Sequence, residues 1–334
     1  MLAMTCTHAQ RILAPDARPR VGQLLMEWEP VIPTLFALLL GAGLAFSLQG
    51  ASSHVEWKAR QVNRALWLWV LSAGLFFLHF GPQWPALLTS TGILQCLGAG
   101  ILAVSLVAPS GPLALSAGLV TGFAWMGLEA RGLRLDGLNQ GSFPLFPYLP
   151  MVLLSFGAVH VLLRRRVLQW GLGIAGILAT LWMWHFQGWG RLGHPDSGVV
   201  LNHQMFHFTR PGQNEGFTLV ADLLRGLPAF PTELAFWHVR PFLALFLLVA
   251  CATAAFLISE IVRICPKPFA LLSLAGRHSL SYYVLHFAGL GAFLVLPSSW
   301  RSHAWTWAIG ALVTFSLGTT LFGVRELLHR KTRA

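Results

Sequence analysis

Residues 29–48 read EPVIPTLFALLLGAGLAFSL: after Glu29, nineteen residues pass without a charge. As a helix they reach about 28 Å at 1.5 Å per residue, close to the ~30 Å of a bilayer's hydrocarbon core. Blocks of this kind recur along the chain. Of its 334 residues, 55% are hydrophobic and 10% charged, and the mean hydropathy is +0.62. An ordinary soluble domain carries about 25% charged residues. So few charges cannot clothe a globule of this size. Backbone groups in lipid must bond to one another, and unbroken apolar runs of this length suit helices rather than barrel strands.

The reading is therefore all-α: a polytopic transmembrane helical bundle of about ten spans in a single domain, residues 1–334. Spans are expected near 30–49, 65–81, 92–108, 113–128, 147–163, 168–186, 241–260, 270–296 and 304–324. Residues 1–13, MLAMTCTHAQRIL, read as the outer end of a first span that is incomplete. Residues 187–236 form the one long hydrophilic segment, expected as a partly folded extracytoplasmic cap.

The net charge of +11 invites a nucleic-acid partner, but its distribution argues against one. With loop 51–64 in the cytoplasm, the inner side holds Lys58, Arg60, Arg64, Arg164, Arg165, Arg166, Arg263, Lys267, Arg325, Arg330, Lys331 and Arg333. The short outer segments hold half as many: Arg11, Arg18, Arg20, Arg131, Arg134 and Arg301. This is a positive-inside bias, and it places the C-terminus in the cytoplasm. Membrane lipids, not nucleic acid, are the partners it implies, and a second copy of the chain in a homodimer is compatible with it.

Familiar catalytic motifs are missing, and one decoy is present. Gly171-x-Gly173-x-x-Gly176 matches the dinucleotide fingerprint by letter but lies inside an apolar helix without a preceding strand, so it reads as glycine-mediated helix packing. The four cysteines have neither metal-ligand nor disulfide-framework spacing. Cys6, Cys96 and Cys251 read as small buried hydrophobes, and no metal is expected.

Polar groups inside spans are more informative, because an ionisable side chain there is costly. His8, His79 and His185 fall near outer ends and His160 near an inner end. His286 lies deeper, in the run Arg277-His278-Ser279-Leu280-Ser281-Tyr282-Tyr283-Val284-Leu285-His286. Ser279, Tyr282 and His286 are spaced i, i+3, i+7, which puts them on one helix face. Such a stripe either lines a wet cavity or forms a hydrogen-bonded helix seam. Gln95, in GILQCLG at the start of its span, carries the same two readings.

Several stretches together resemble the bacterial relatives of heparan-alpha-glucosaminide N-acetyltransferase, in the transmembrane acyltransferase superfamily that includes the acyltransferase-3 proteins. Residues 1–13 resemble the second half of that family's first span, and 29–48 its second span. RQVNRALWLWVL at 60–71, GILQCLGAGIL at 92–102 and FPLFPYLPMVLLSFG at 143–157 follow in the family's order. LLSLAGRHSLSYYVLHF at 271–287 is similar to its late G-x-x-S-L-x-x-Y-x-x-H motif. The family's Arg-Gly element early in the first span has no counterpart, as expected of a chain that begins partway into that span. The His-containing loop signature of the human lysosomal enzyme is also missing.

The resemblance implies a protein of the bacterial cytoplasmic (inner) membrane that takes an acetyl-like group from cytoplasmic acetyl-CoA or another acyl-CoA. The acceptor would be an extracytoplasmic sugar, glycan or similar molecule. His8 matches the family's first-span His and is the first candidate for general base, with His286 the second. Arg277, Gln95 and Tyr282, with Ser279, are candidates for stabilising an oxyanion or holding the pantetheine arm, and Arg64 for binding phosphate. Two rival readings stay open: a small-molecule or lipid transporter or flippase using the intramembrane His and Arg, and an inactive truncated paralogue.

Overall fold

The computed structural model describes residues 31–80, 92–133, 144–162, 166–186, 241–267, 278–293 and 305–331, with residues 82, 84, 86–89, 135, 137, 138, 295, 297–301 and 303. The partial span at 1–13 and the cap at 187–236 lie outside them. Every regular element among the described residues is an α-helix, and nine of these have fifteen residues or more.

In chain order the helices are α1 (Val31–Gln49), α2 (His54–Phe80), the single turn α3 (Ala86–Thr89), α4 (Ile93–Val107), α5 (Gly111–Ala130), α6 (Leu145–Leu162) and α7 (Arg166–Phe186). They continue as α8 (Pro241–Ile264), α9 (Ser279–Phe293), the short α10 (Ser298–Arg301) and α11 (Trp305–Lys331). Local chemistry sets their ends. Ser53 opens α2 by accepting the Glu56 N–H at 3.4 Å, half of a capping box. Gly92, at φ +103°, turns the chain into α4 with a backbone that other residues avoid. Ser110 caps α5 by accepting the Leu113 N–H at 3.2 Å, with Pro112 in the first turn, where no N–H is needed.

Three helices are long and apolar enough to cross a membrane: Ile32–Gln49, Gly111–Ala130 and Leu247–Ile264. Shorter apolar helices cover Ile93–Val107, Leu145–Val161, Gln169–Trp182 and Ala308–Val324. The described residues therefore carry three full-length candidates where about ten spans were expected. The turns at Gly92 and at 108–110 hold α4 to fifteen residues, about 22 Å, and α9 is equally short. The apolar helices wear apolar coats. α5 exposes Leu113, Leu119, Val120, Phe123 and Met126, and α7 exposes Leu172, Ile174, Leu178, Leu181 and Trp182. Continuous apolar flanks of this kind mark a surface that water does not wet.

The chain divides into two compact units, one spanning residues 30–214 and 230–257, the other 1–29, 215–229 and 258–334. In the larger unit α6 is the hub. Met151, Val152, Leu153 and Phe156 are buried almost completely, and three helices press against α6 through glycine. A Cβ on Gly41 of α1 would collide with the Val152 carbonyl, and would stand 2.8 Å from the Phe156 amide nitrogen. A Cβ on Gly100 of α4 would meet Val152 at 3.1 Å, and one on Gly118 of α5 would meet Leu154 at 2.8 Å. Ser155 adds a hydrogen bond, its hydroxyl donating to the Leu38 carbonyl at 2.6 Å. Small residues that let backbones approach are how helices associate where apolar surroundings offer no hydrophobic drive.

α2 joins this unit along one face: Trp57, Gln61, Ala65, Leu68, Ser72 and Phe76 are all buried. Gly98 of α4 fits against the Ala65 carbonyl at 3.1 Å, and the Trp57 indole N–H donates to the Ser47 hydroxyl of α1 at 3.1 Å. This register corrects the span expected at 65–81. The polar first half of α2, with Lys58, Arg60 and Arg64, runs alongside α4, while its apolar second half passes the start of α4. α2 is thus a longer and more polar helix than an apolar-block reading supplies.

The glycine reading of residues 171–176 holds at two of three positions. Gly173 faces the Phe256 ring, 2.5 Å from a Cβ position, and Gly176 faces the Thr253 hydroxyl, whereas Gly171 has open space beside it.

Candidate functional site

Residues 279–287 of the late motif lie in α9; residues 271–277 are outside the described residues. Tyr282 and His286 are each 0% exposed on the face that packs against α11. Ser279 belongs to the first turn of the same helix. Tyr282 donates its phenolic hydrogen to the Phe315 carbonyl of α11 at 2.8 Å, and Thr319 donates to that same oxygen at 3.1 Å. The Phe315 carbonyl anchors the tyrosine, while Phe315 and Phe322 flank its ring at 5.7 and 5.1 Å between centroids. His278 stacks on Phe322 at 4.8 Å.

Two glycines make the seam possible. A Cβ on Gly318 would stand 2.6 Å from the Tyr282 ring, so only glycine leaves room for the phenol. A Cβ on Gly289 would stand 2.8 Å from the Thr314 hydroxyl. Since Tyr282 meets Gly318 and Gly289 meets Thr314, α9 and α11 run antiparallel. The Thr314 oxygen is buried and has no hydrogen-bond partner among the described residues. His286 lies between these two contacts along α9. The seam thus holds an imidazole, a phenol and a hydroxyl in a region sealed by aromatic rings.

His8 and Arg277 lie outside the described residues. Gln95 belongs to α4 in the larger unit and donates its side-chain amide to the Leu88 carbonyl. Arg64 is exposed on α2. Sequence reasoning passed over Thr314, which looks like one more small residue in an apolar span. It also passed over Gln61, whose Oε1, like the Nδ1 of His160, is buried without a partner among the described residues. The signal for Gln61 was available: it interrupts the apolar stripe of α2 at helical spacing. His160 stacks on Phe156 at 5.7 Å and presses its ring edge against Gly111.

No protein-family model, curated protein or solved structure matches this chain.

Proposed function

We propose that the protein is a membrane-embedded acyltransferase, moving an acetyl-like group from cytoplasmic acyl-CoA to an extracytoplasmic sugar, glycan or similar acceptor. The observation that carries this reading is His286: a wholly buried imidazole sharing a helix face with Tyr282, in the stretch that resembles the family's late motif. A neutral imidazole removes the proton of a hydroxyl or amine as it attacks a thioester carbonyl, or carries the acyl group itself. Donors close by stabilise the oxyanion that develops; Arg277 is proposed for that role, and His8 as a further base.

In this reading the shorter apolar helices cross the bilayer together with the three long ones, approaching the ten-span bundle. The excess of inner basic residues sets the C-terminus in the cytoplasm of a bacterial inner membrane. The test is acetyl transfer by the purified full chain in liposomes loaded with acetyl-CoA and supplied with external amino sugars. His286→Ala lowers turnover by at least about 100-fold, the low end of a general base's contribution, while CoA binding persists. Turnover within threefold of wild type removes His286 from the chemistry. Absence of transfer with every acceptor class, alongside flux of a solute, replaces the enzyme with a transporter.

A further inference from the structure

The larger unit carries a buried acceptor that nothing around it satisfies. Gln61 is 6% exposed, and its side-chain oxygen meets no donor among the described residues. Native interiors rarely leave such an atom alone, because it has lost its water and gained nothing in exchange. The register of α2 on α4, Ala65 against Gly98, brings Gln61 level with residue 102 of α4. The polar group nearest that level on α4 is Ser105, and its hydrogen is committed to the Ile101 carbonyl at 2.8 Å. The Gln61 oxygen is acceptor-only, so what it lacks is an N–H or O–H.

The same turns of α2 carry cations. Lys58 and Arg64 stand three residues before and after Gln61, and both are exposed. Residues three apart are surface neighbours on a helix, and these three span about 9 Å of axis. Arg60, beside them, is paired with Glu56 at 3.7 Å. The pattern is an interior acceptor flanked by two exterior positive charges. It fits a ligand that presents anionic groups on the outside and a thin, uncharged arm bearing amide hydrogens on the inside. A bare phosphate satisfies the cations and brings no N–H to Gln61.

Resting on the acyl-CoA reading above, we infer that Gln61 accepts a hydrogen bond from an amide N–H of the pantetheine arm, with Lys58 and Arg64 receiving the phosphates. The acyl donor thereby engages the larger unit along the flank of α2.

Binding of three probes to the purified full chain in detergent tests this: CoA, pantetheine and adenosine 3′,5′-bisphosphate. Gln61→Leu weakens CoA and pantetheine about 5- to 10-fold, the worth of one neutral hydrogen bond, and leaves the bisphosphate unchanged. Its melting temperature stays level or rises, because a leucine carries no orphan oxygen; Gln61→Met serves as a second apolar substitute. Lys58→Ala and Arg64→Ala show the reverse pattern, weakening CoA and the bisphosphate in a salt-dependent manner. If CoA binds wild type and both Gln61 variants equally, the interior contact is wrong and the acyltransferase reading stands. Binding of the bisphosphate alone, insensitive to Gln61, marks a simple phosphate or headgroup site and overturns the inference. If wild type binds no CoA at all, the acyl-CoA reading falls and takes this contact with it.

Discussion

The α1–α6 contact and the α9–α11 seam both depend on glycine, and they use it for different ends. Gly41 brings two backbones together, so its neighbours are a carbonyl and an amide that cannot turn aside. Gly318 and Gly289 instead open space for side chains, a phenol at one and a hydroxyl at the other. The first contact is a weld. The second is a slot, wide enough to admit polar groups and tight enough to keep them from water. A glycine count cannot separate the two; only the identity of the atoms opposite does.

The largest effect that would break this contrast is at the weld. Gly41→Leu drives carbon into the backbone of α6 and destabilises the protein by more than about 3 kcal/mol, beyond the usual range for overpacking because no rotamer relieves it. The expected outcome is loss of the monodisperse peak in detergent size-exclusion chromatography; a normal peak and melting temperature would show that α6 yields. At the slot the effect is smaller. Gly318→Ala costs about 1–3 kcal/mol, and because the obstacle is a single ring, adding Tyr282→Ala recovers part of it. A thermal double-mutant cycle reads the coupling; strict additivity would place the strain elsewhere. The smallest effect has the opposite sign. Gly43, two residues from Gly41, has nothing within 4 Å of a Cβ position, so Gly43→Ala stabilises by about 0.5–1 kcal/mol through helix propensity. A loss there would mean that Gly43 meets a partner in the assembled membrane protein.

Much of the helical layout could be read from apolar blocks and their punctuation. Residues 30–49 and 92–108 became α1 and α4 within a residue at each end, since Gly50, Gly92 and Pro109 bound them. α2 defeated that method. Its first three turns, HVEWKARQVNR, look like a loop by hydropathy, yet the Ser53 cap and a buried stripe at helical spacing make them helix. Among the described residues only three helices reach full span length, because an apolar block says nothing about where a turn cuts it. In the seam, the buried face shared by Tyr282 and His286 followed from spacing alone. The antiparallel partner, Thr314 with its unpartnered oxygen and the glycine clearances did not, because each depends on which helix comes to lie opposite.

The stagger of α2 has a consequence for the lipid. Where α5 and α7 present oily flanks, α2 presents Arg64, Arg60, Lys58 and Glu56 in a strip that runs from the middle of α4 to its C-terminal end. Acyl chains cannot solvate that strip, so headgroups and water must reach it from that end of the helix. A water-soluble molecule reaches these charges from that end of α2 without traversing the hydrocarbon.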